Sequence, residues 1–243
     1  MCRFFDKCYT GQGPWGRPGR EGESPSGAGS IPGTAKPQLF LSALERIFAE
    51  VAPTLPTGRP LRLLDCACGE GKWISPWVAR LASAGRLEYV GVDASRVACD
   101  MARQSFLDAM RLQPGAAAQL HLDVSMMSIR VINMRADELR PDNVGGTFDI
   151  ILSKDTLNHL RPDLVEKALE AFKRVSHRGL LVCNSHPGQG RGKPANEHFG
   201  PEYSYAWSRY DYCAFGLRLE RLLAEDVGTG KCNKSEKCFL FHL

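Results

Sequence analysis

Two groups of polar residues in this chain are spaced for chemistry. The first is Asp65-Cys66-Ala67-Cys68-Gly69-Glu70-Gly71, which ends the apolar run Leu61-Arg62-Leu63-Leu64 and leads at once into an amphipathic segment. Such a sequence makes a buried strand, a tight loop and a helix. Glycine lets the loop backbone take unusual dihedrals and approach a ligand closely. The helix start offers unpaired N–H groups at a positive dipole end. Further on, Tyr89-Val90-Gly91-Val92-Asp93 is a second strand closing on a carboxylate. A glycine loop followed about twenty residues later by an acidic strand end holds a nucleoside in a doubly wound sheet, the carboxylate taking the ribose hydroxyls. The second group is Lys154-Asp155-Thr156-Leu157-Asn158-His159, after the apolar run 148–153. Asp155 and His159 stand four apart at the start of an expected helical segment and would share one face. A carboxylate and an imidazole so placed suit general base chemistry; Lys154 would orient an anionic substrate or pair with a neighbouring carboxylate.

The elements that must position these groups alternate along the chain. Residues 38–51 carry a helical stripe (Phe40, Leu44, Ile47, Phe48, Val51) that Pro53 stops, and the helix is expected to pack on the sheet beside the site. After the first strand, Trp73, Ile74, Trp77, Val78 and Leu81 fall on one helical face, with Ser75-Pro76 as a cap or restart. Ser95 is placed to cap a helix running through Leu112. A third strand, 130–135, ends on Ala136-Asp137; Asp123, after a shorter strand-like run, is a rival for that acidic position, and 116–128 reads as an insertion. The fourth strand is 148–153, apolar enough to be central. Pro162 opens a further helix and Gly179 introduces a fifth strand, 180–184. This alternation predicts an α/β fold: an open, mostly parallel sheet with helices on both faces and ligands at the strand C-termini. Runs at 217–219 and 238–242 read as closing strands.

Composition bounds the rest. The chain has 243 residues, 43% hydrophobic and 24% charged, which suits one domain with a sizeable core over 38–243. Before it, 1–37 is a Gly/Pro/Ser-rich segment whose composition alone reads as a disordered tail, while Trp15 and Phe4-Phe5 suggest a surface to cover; its length suits either a tail or a lid over the pocket. The net charge of +4 is scattered, without a basic stripe, so a small-molecule partner is favoured over nucleic acid. Nine cysteines without a Cys-x-x-Cys pair read as reduced thiols of a cytoplasmic protein, and no metal site is expected. No apolar run reaches membrane-spanning length, and the first residues have no signal-peptide pattern.

The loop lacks the third glycine of a dinucleotide fingerprint, because Trp73 and Ile74 occupy that region. The pattern Asp65-x-Ala67-x-Gly69-x-Gly71 instead resembles motif I of the class I S-adenosylmethionine-dependent methyltransferases, with Ala67 in place of the first glycine. The resemblance implies a seven-stranded Rossmann-like sheet, one late strand antiparallel, and S-adenosyl-L-methionine as cofactor. It also implies roles: Asp93 on the ribose, Asp137 on the adenine amino group, and Asp65 near the amino group of the methionine moiety. Lys154-Asp155-x-Leu157-x-His159-Leu160 is similar to a motif of a little-characterised bacterial-type group within that class. So are Trp15-Gly16, Ser26-Gly27-Ala28-Gly29-Ser30, Thr34, Arg209-Tyr210-Asp211, Phe215-Gly216-Leu217 and 237–241. The chain departs from that group at Ala67-Cys68-Gly69-Glu70-Gly71 and around 116–128.

The resulting expectation is methyl transfer to a small-molecule or sugar-like hydroxyl or amino acceptor. Asp155 and His159 are its candidate catalytic residues; Lys154, Arg209 and Asp211 are its candidate substrate contacts. The alternatives are a methyltransferase-like binding protein without catalysis, which would lack the polar residues after the fourth strand, and a nucleotide-dependent oxidoreductase, which the glycine pattern disfavours.

Overall fold

The computed structural model describes residues 36–112, 128–183, 210–226 and 236–243. Within them seven strands form one sheet in the order β3-β2-β1-β4-β5-β7-β6. These are β1 (Leu61–Cys66), β2 (Leu87–Asp93), β3 (Ile129–Asn133), β4 (Ile150–Ser153), β5 (Leu180–Cys183), β6 (Arg218–Asp226) and β7 (Glu236–His242). The first five are mutually parallel, β7 runs antiparallel to β5, and β6 antiparallel to β7. Register sets Asp65 beside Gly91 and Leu152, so the ends of β1, β2 and β4 converge on one edge.

The helices are α1 (Lys36–Val51), α2 (Ser75–Ser83), α3 (Arg96–Arg111), α4 (Pro141–Val144) and α5 (Pro162–Val175). One core joins α1, α2 and α3 to one face of the sheet through Phe40, Ile47, Leu63, Trp77, Tyr89 and Phe106. The other packs α5 on the opposite face through Leu64, Val90, Ile151, Leu169 and Phe172. In β1 the alternation is visible residue by residue: Leu63 serves the first core and Leu64 the second. Ser95 caps α3 as its type predicts, its hydroxyl accepting from the Ala98 N–H at 3.1 Å. Ser75 does not cap α2: that helix starts after Ile74 without a side-chain cap and with Pro76 in its first turn.

The domain boundary expected at 38 falls inside α1, which opens at Lys36. The expected lid over 1–37 otherwise lies outside the described residues, as do Asp123, most of 116–128 and Arg209. The third and fourth strands are shorter than expected. Residues 136–138 form a 3-10 turn, and Phe148 makes only an isolated bridge to Ser176. β6 is longer than its sequence signal, for it extends from Arg218 to Asp226 with two register shifts against β7. Among the described residues no helix is long and apolar enough to cross a membrane.

Candidate active site

The loop after β1 is built from backbone that few residues accept. Ala67, Gly69 and Gly71 all have positive φ, at 61°, 56° and 68°. Ala67 takes the left-handed conformation despite its Cβ, a cost of roughly 1–2 kcal/mol. The loop is tied down from β2: the Cys68 N–H donates to the Val92 carbonyl at 3.0 Å. The Gly69 N–H donates to Asp93 Oδ2 at 3.0 Å, and the Ser95 N–H donates to Asp93 Oδ1 at 2.8 Å. Asp93 therefore fixes the loop and the start of α3 with one oxygen each.

Asp65 lies one strand away and is 1% exposed. Its Oδ2 accepts from the Tyr89 hydroxyl at 2.8 Å. Burial pushes its pKa up to about 7, against the Tyr89 hydrogen bond and the nearby Lys154 charge, with Asp93 adding to the rise. A carboxylate so desolvated gains most from a cationic ligand, which a methionine ammonium is.

At the end of β4, Lys154 donates to Asp155 Oδ2 at 2.7 Å. Its ammonium lies 5.5 Å from the Phe40 ring centroid and 5.8 Å from that of Trp73, rings that themselves meet edge to face. Lys154 is thus buried between α1 and the loop after Gly71, a cation on two aromatic faces. Asp155 has φ +51°, and a 3-10 turn covers only Leu157–His159 before α5 begins at Pro162. This corrects the expected helical face shared by Asp155 and His159: the left-handed backbone at Asp155 ends any helix there. The two remain electrostatic neighbours. Burial pushes the His159 imidazole down to about 4, with Asp155 opposing the shift and Lys154 adding to it. Thr156, which the sequence reading gave no role, joins the turn to β1 by donating to the Cys66 carbonyl at 2.9 Å. Among the described residues, the buried Ser153 hydroxyl at the end of β4 has no hydrogen-bond partner.

Two further expected site residues have protein partners of their own. The carboxylate of Asp137 accepts from Arg135 Nε and Nη2 at 2.9 and 2.8 Å. Asp137 lines a polar groove with Asp163, Glu166 and Lys167 of α5, and its charge also acts on Cys66 at the end of β1. Asp211 caps the 3-10 turn Tyr212–Phe215, its Oδ1 accepting from the Cys213 N–H at 3.0 Å. Its neighbour Tyr210 is buried and donates to the Leu160 carbonyl at 2.5 Å, which fixes that turn beside the one after β4. The sequence reading also missed Phe40, Trp73 and Tyr89 as parts of the site. Trp73 and Tyr89 were legible only as strand and helix apolars, since nothing in the sequence says which buried aromatic reaches a polar group.

The donor set at the ends of β1 and β2, two buried carboxylates beside a loop of left-handed backbone, fits S-adenosylmethionine. Asp65 and Asp93 converge on a loop of left-handed backbone, and a side chain at Gly71 would place its Cβ 3.1 Å from the Phe106 ring. Residues 63–179 match the family described as a methyltransferase domain, whereas no curated protein matches the chain. Among solved structures, the chain resembles the CurJ carbon methyltransferase at 13% identity and TM-score 0.53, with 83% of this chain and 53% of that one covered. It thus spans about half of that protein's length. It also resembles the magnesium protoporphyrin IX methyltransferase ChlM from Synechocystis PCC 6803 with bound SAH, at 12% identity, TM-score 0.52 and 88% of each chain. A third similar structure concerns the conversion of a disulfide bond into a thioacetal group during echinomycin biosynthesis, at 16% identity, TM-score 0.53, and 100% and 92% coverage. Over residues 63–179 the chain matches the methyltransferase-domain family, and its seven-stranded sheet is the fold of the methyltransferases it resembles.

Proposed function

We propose that this enzyme methylates an oxygen or nitrogen of a small-molecule or sugar-like acceptor held above the turn after β4. The observation that carries the reading is the polar cluster Lys154, Asp155 and His159 beside Asp65, at the convergent ends of β1 and β4. When bound, S-adenosylmethionine supplies a methyl group already activated by its sulfonium. The chain's contribution is alignment, exclusion of water and, for a hydroxyl or ammonium nucleophile, removal of a proton. Gly69 and Gly71 give the loop its left-handed backbone, Asp93 takes ribose hydroxyls, and Asp65 faces the ammonium group. His159 is neutral at physiological pH and can accept the acceptor's proton on an imidazole nitrogen. Lys154 pairs with Asp155 and so fixes the orientation of its carboxylate.

The free, mostly buried cysteines among the described residues support a reducing, cytoplasmic setting. Arg209 and the segment 1–37 complete the proposal as an acceptor contact and a cover. A transfer screen with tritium-labelled methyl donor against metabolite and glycan pools tests the acceptor class. Label in small polar products supports it; label only in nucleic acid or protein rejects it.

A further inference from the structure

Tyr89 stands on β2 two residues before Gly91, on the same face of the strand, and its ring is buried against Phe106 at 4.8 Å between centroids. The phenol runs along its own strand, toward the strand's C-terminal end. That path exists because Gly91 has no side chain: a Cβ there would stand 3.0 Å from the Tyr89 hydroxyl and 3.0 Å from Cys68 Sγ. The hydroxyl ends 2.8 Å from Asp65 Oδ2 on the adjacent strand, where register sets Asp65 directly beside Gly91. A tyrosine, a glycine and an aspartate on two neighbouring strands thus form one device, closed above by the Cys68 end of the cofactor loop.

From this geometry we infer that Tyr89 is a positioning residue for the cofactor, its hydroxyl holding the Asp65 carboxylate in the orientation that receives the cofactor's ammonium group. The inference rests on the proposed role of Asp65 and extends it to a residue with no ligand contact of its own. The groups that face Asp65 are Tyr89 and Asp93 of β2, Lys154 after β4, and the thiols Cys66 and Cys68. Among them Tyr89 makes the hydrogen bond and Lys154 is the cation. Loss of the hydroxyl removes a donor to the ionised form, so Asp65 stays protonated to higher pH.

The test is calorimetric binding of S-adenosylhomocysteine, which keeps the ammonium group, to the full chain between pH 6 and about 9, wild type against Tyr89→Phe at each pH. The ring packing is retained in that variant. The expected Kd at pH 7 is roughly tenfold higher than wild type, with the gap closing to about threefold by pH 9 as Asp65 ionises in both proteins. Gly91→Ala, which displaces the hydroxyl while keeping it, should give a loss with the same pH dependence. On an Asp65→Asn background, Tyr89→Phe should cost nothing further. An unchanged Kd, or a loss of equal size at every pH, overturns the inference while leaving the role of Asp65 standing. A wild-type affinity unaffected by Asp65→Asn overturns both.

Discussion

The Thr156 hydroxyl donates to the backbone carbonyl of Cys66, so the turn that carries the candidate catalytic residues is fastened directly to the strand that carries the cofactor loop. The two halves of a methyl-transfer site must be aligned to fractions of an ångström, and here a single buried hydrogen bond spans them. Thr156→Val keeps shape and leaves the Cys66 carbonyl unpaired. It should lower stability by about 1–3 kcal/mol in urea denaturation, and lower turnover more than S-adenosylhomocysteine affinity. Thr156→Ser should restore both.

Asp93 joins structure and binding, since its two oxygens already accept the Gly69 and Ser95 amides. Asp93→Ala should weaken S-adenosylhomocysteine binding by tenfold to a hundredfold, the worth of hydrogen bonds to a charged group of roughly 1.5–3 kcal/mol. It should also lower the melting temperature, because the loop amides lose their acceptor. A variant that melts normally and binds as wild type would remove Asp93 from the site.

His159 gives a pH prediction with a definite sign. Its folded-state pKa of about 4 lies below the ordinary value of 6.5, so the folded protein resists protonation there. The unfolded chain binds more protons between those values, and this group therefore makes stability fall as pH drops through that window. For the same reason the acid limb of kcat attributable to His159 should lie near pH 4 and not near 6.5. If the imidazole is the base, His159→Ala lowers turnover by roughly 10²–10⁴ with cofactor affinity nearly unchanged. An unchanged rate would assign catalysis to alignment alone.

The strand ends and the glycine loop were legible because their signals are local: apolar runs of strand length, small residues, and carboxylates at the junctions. What was not legible depends on partners distant in sequence or on one backbone angle. Asp155 and His159 share no helical face because Asp155 is left-handed, a conformation that Asp tolerates but that no spacing announces. Lys154 lies on Phe40 and Trp73, each drawn from a different element. β6 outran its signal because its two bulges break the alternation that marks a strand. Asp137 is read from its place at a strand end and Asp211 from the resemblance; that Arg135 holds the first and that the second caps a turn is what spacing does not announce.

The opposite end of β4 carries a buried ion-pair cluster. Asp149 is fully buried, and its carboxylate accepts from Arg59 Nη1 at 3.1 Å on both oxygens, from Arg178 Nε at 3.4 Å and from the Arg62 backbone N–H at 2.9 Å. It thereby joins the segment before β1, the start of β4 and the segment before β5. Removing the anion leaves guanidinium groups half-buried against one another and a backbone amide without its acceptor. Breaking a buried pair from one side costs about 3–5 kcal/mol, so Asp149→Ala should lose that much in urea denaturation. Asp149→Asn, which keeps the acceptor for Arg62, should lose less. Because the clamp lies at the N-terminal edge of the sheet, away from the ligand end, the folded fraction of either variant should bind S-adenosylhomocysteine within about twofold of wild type. A large loss of affinity at a temperature where the variant is fully folded would show that the clamp governs the site through β4 and not stability alone.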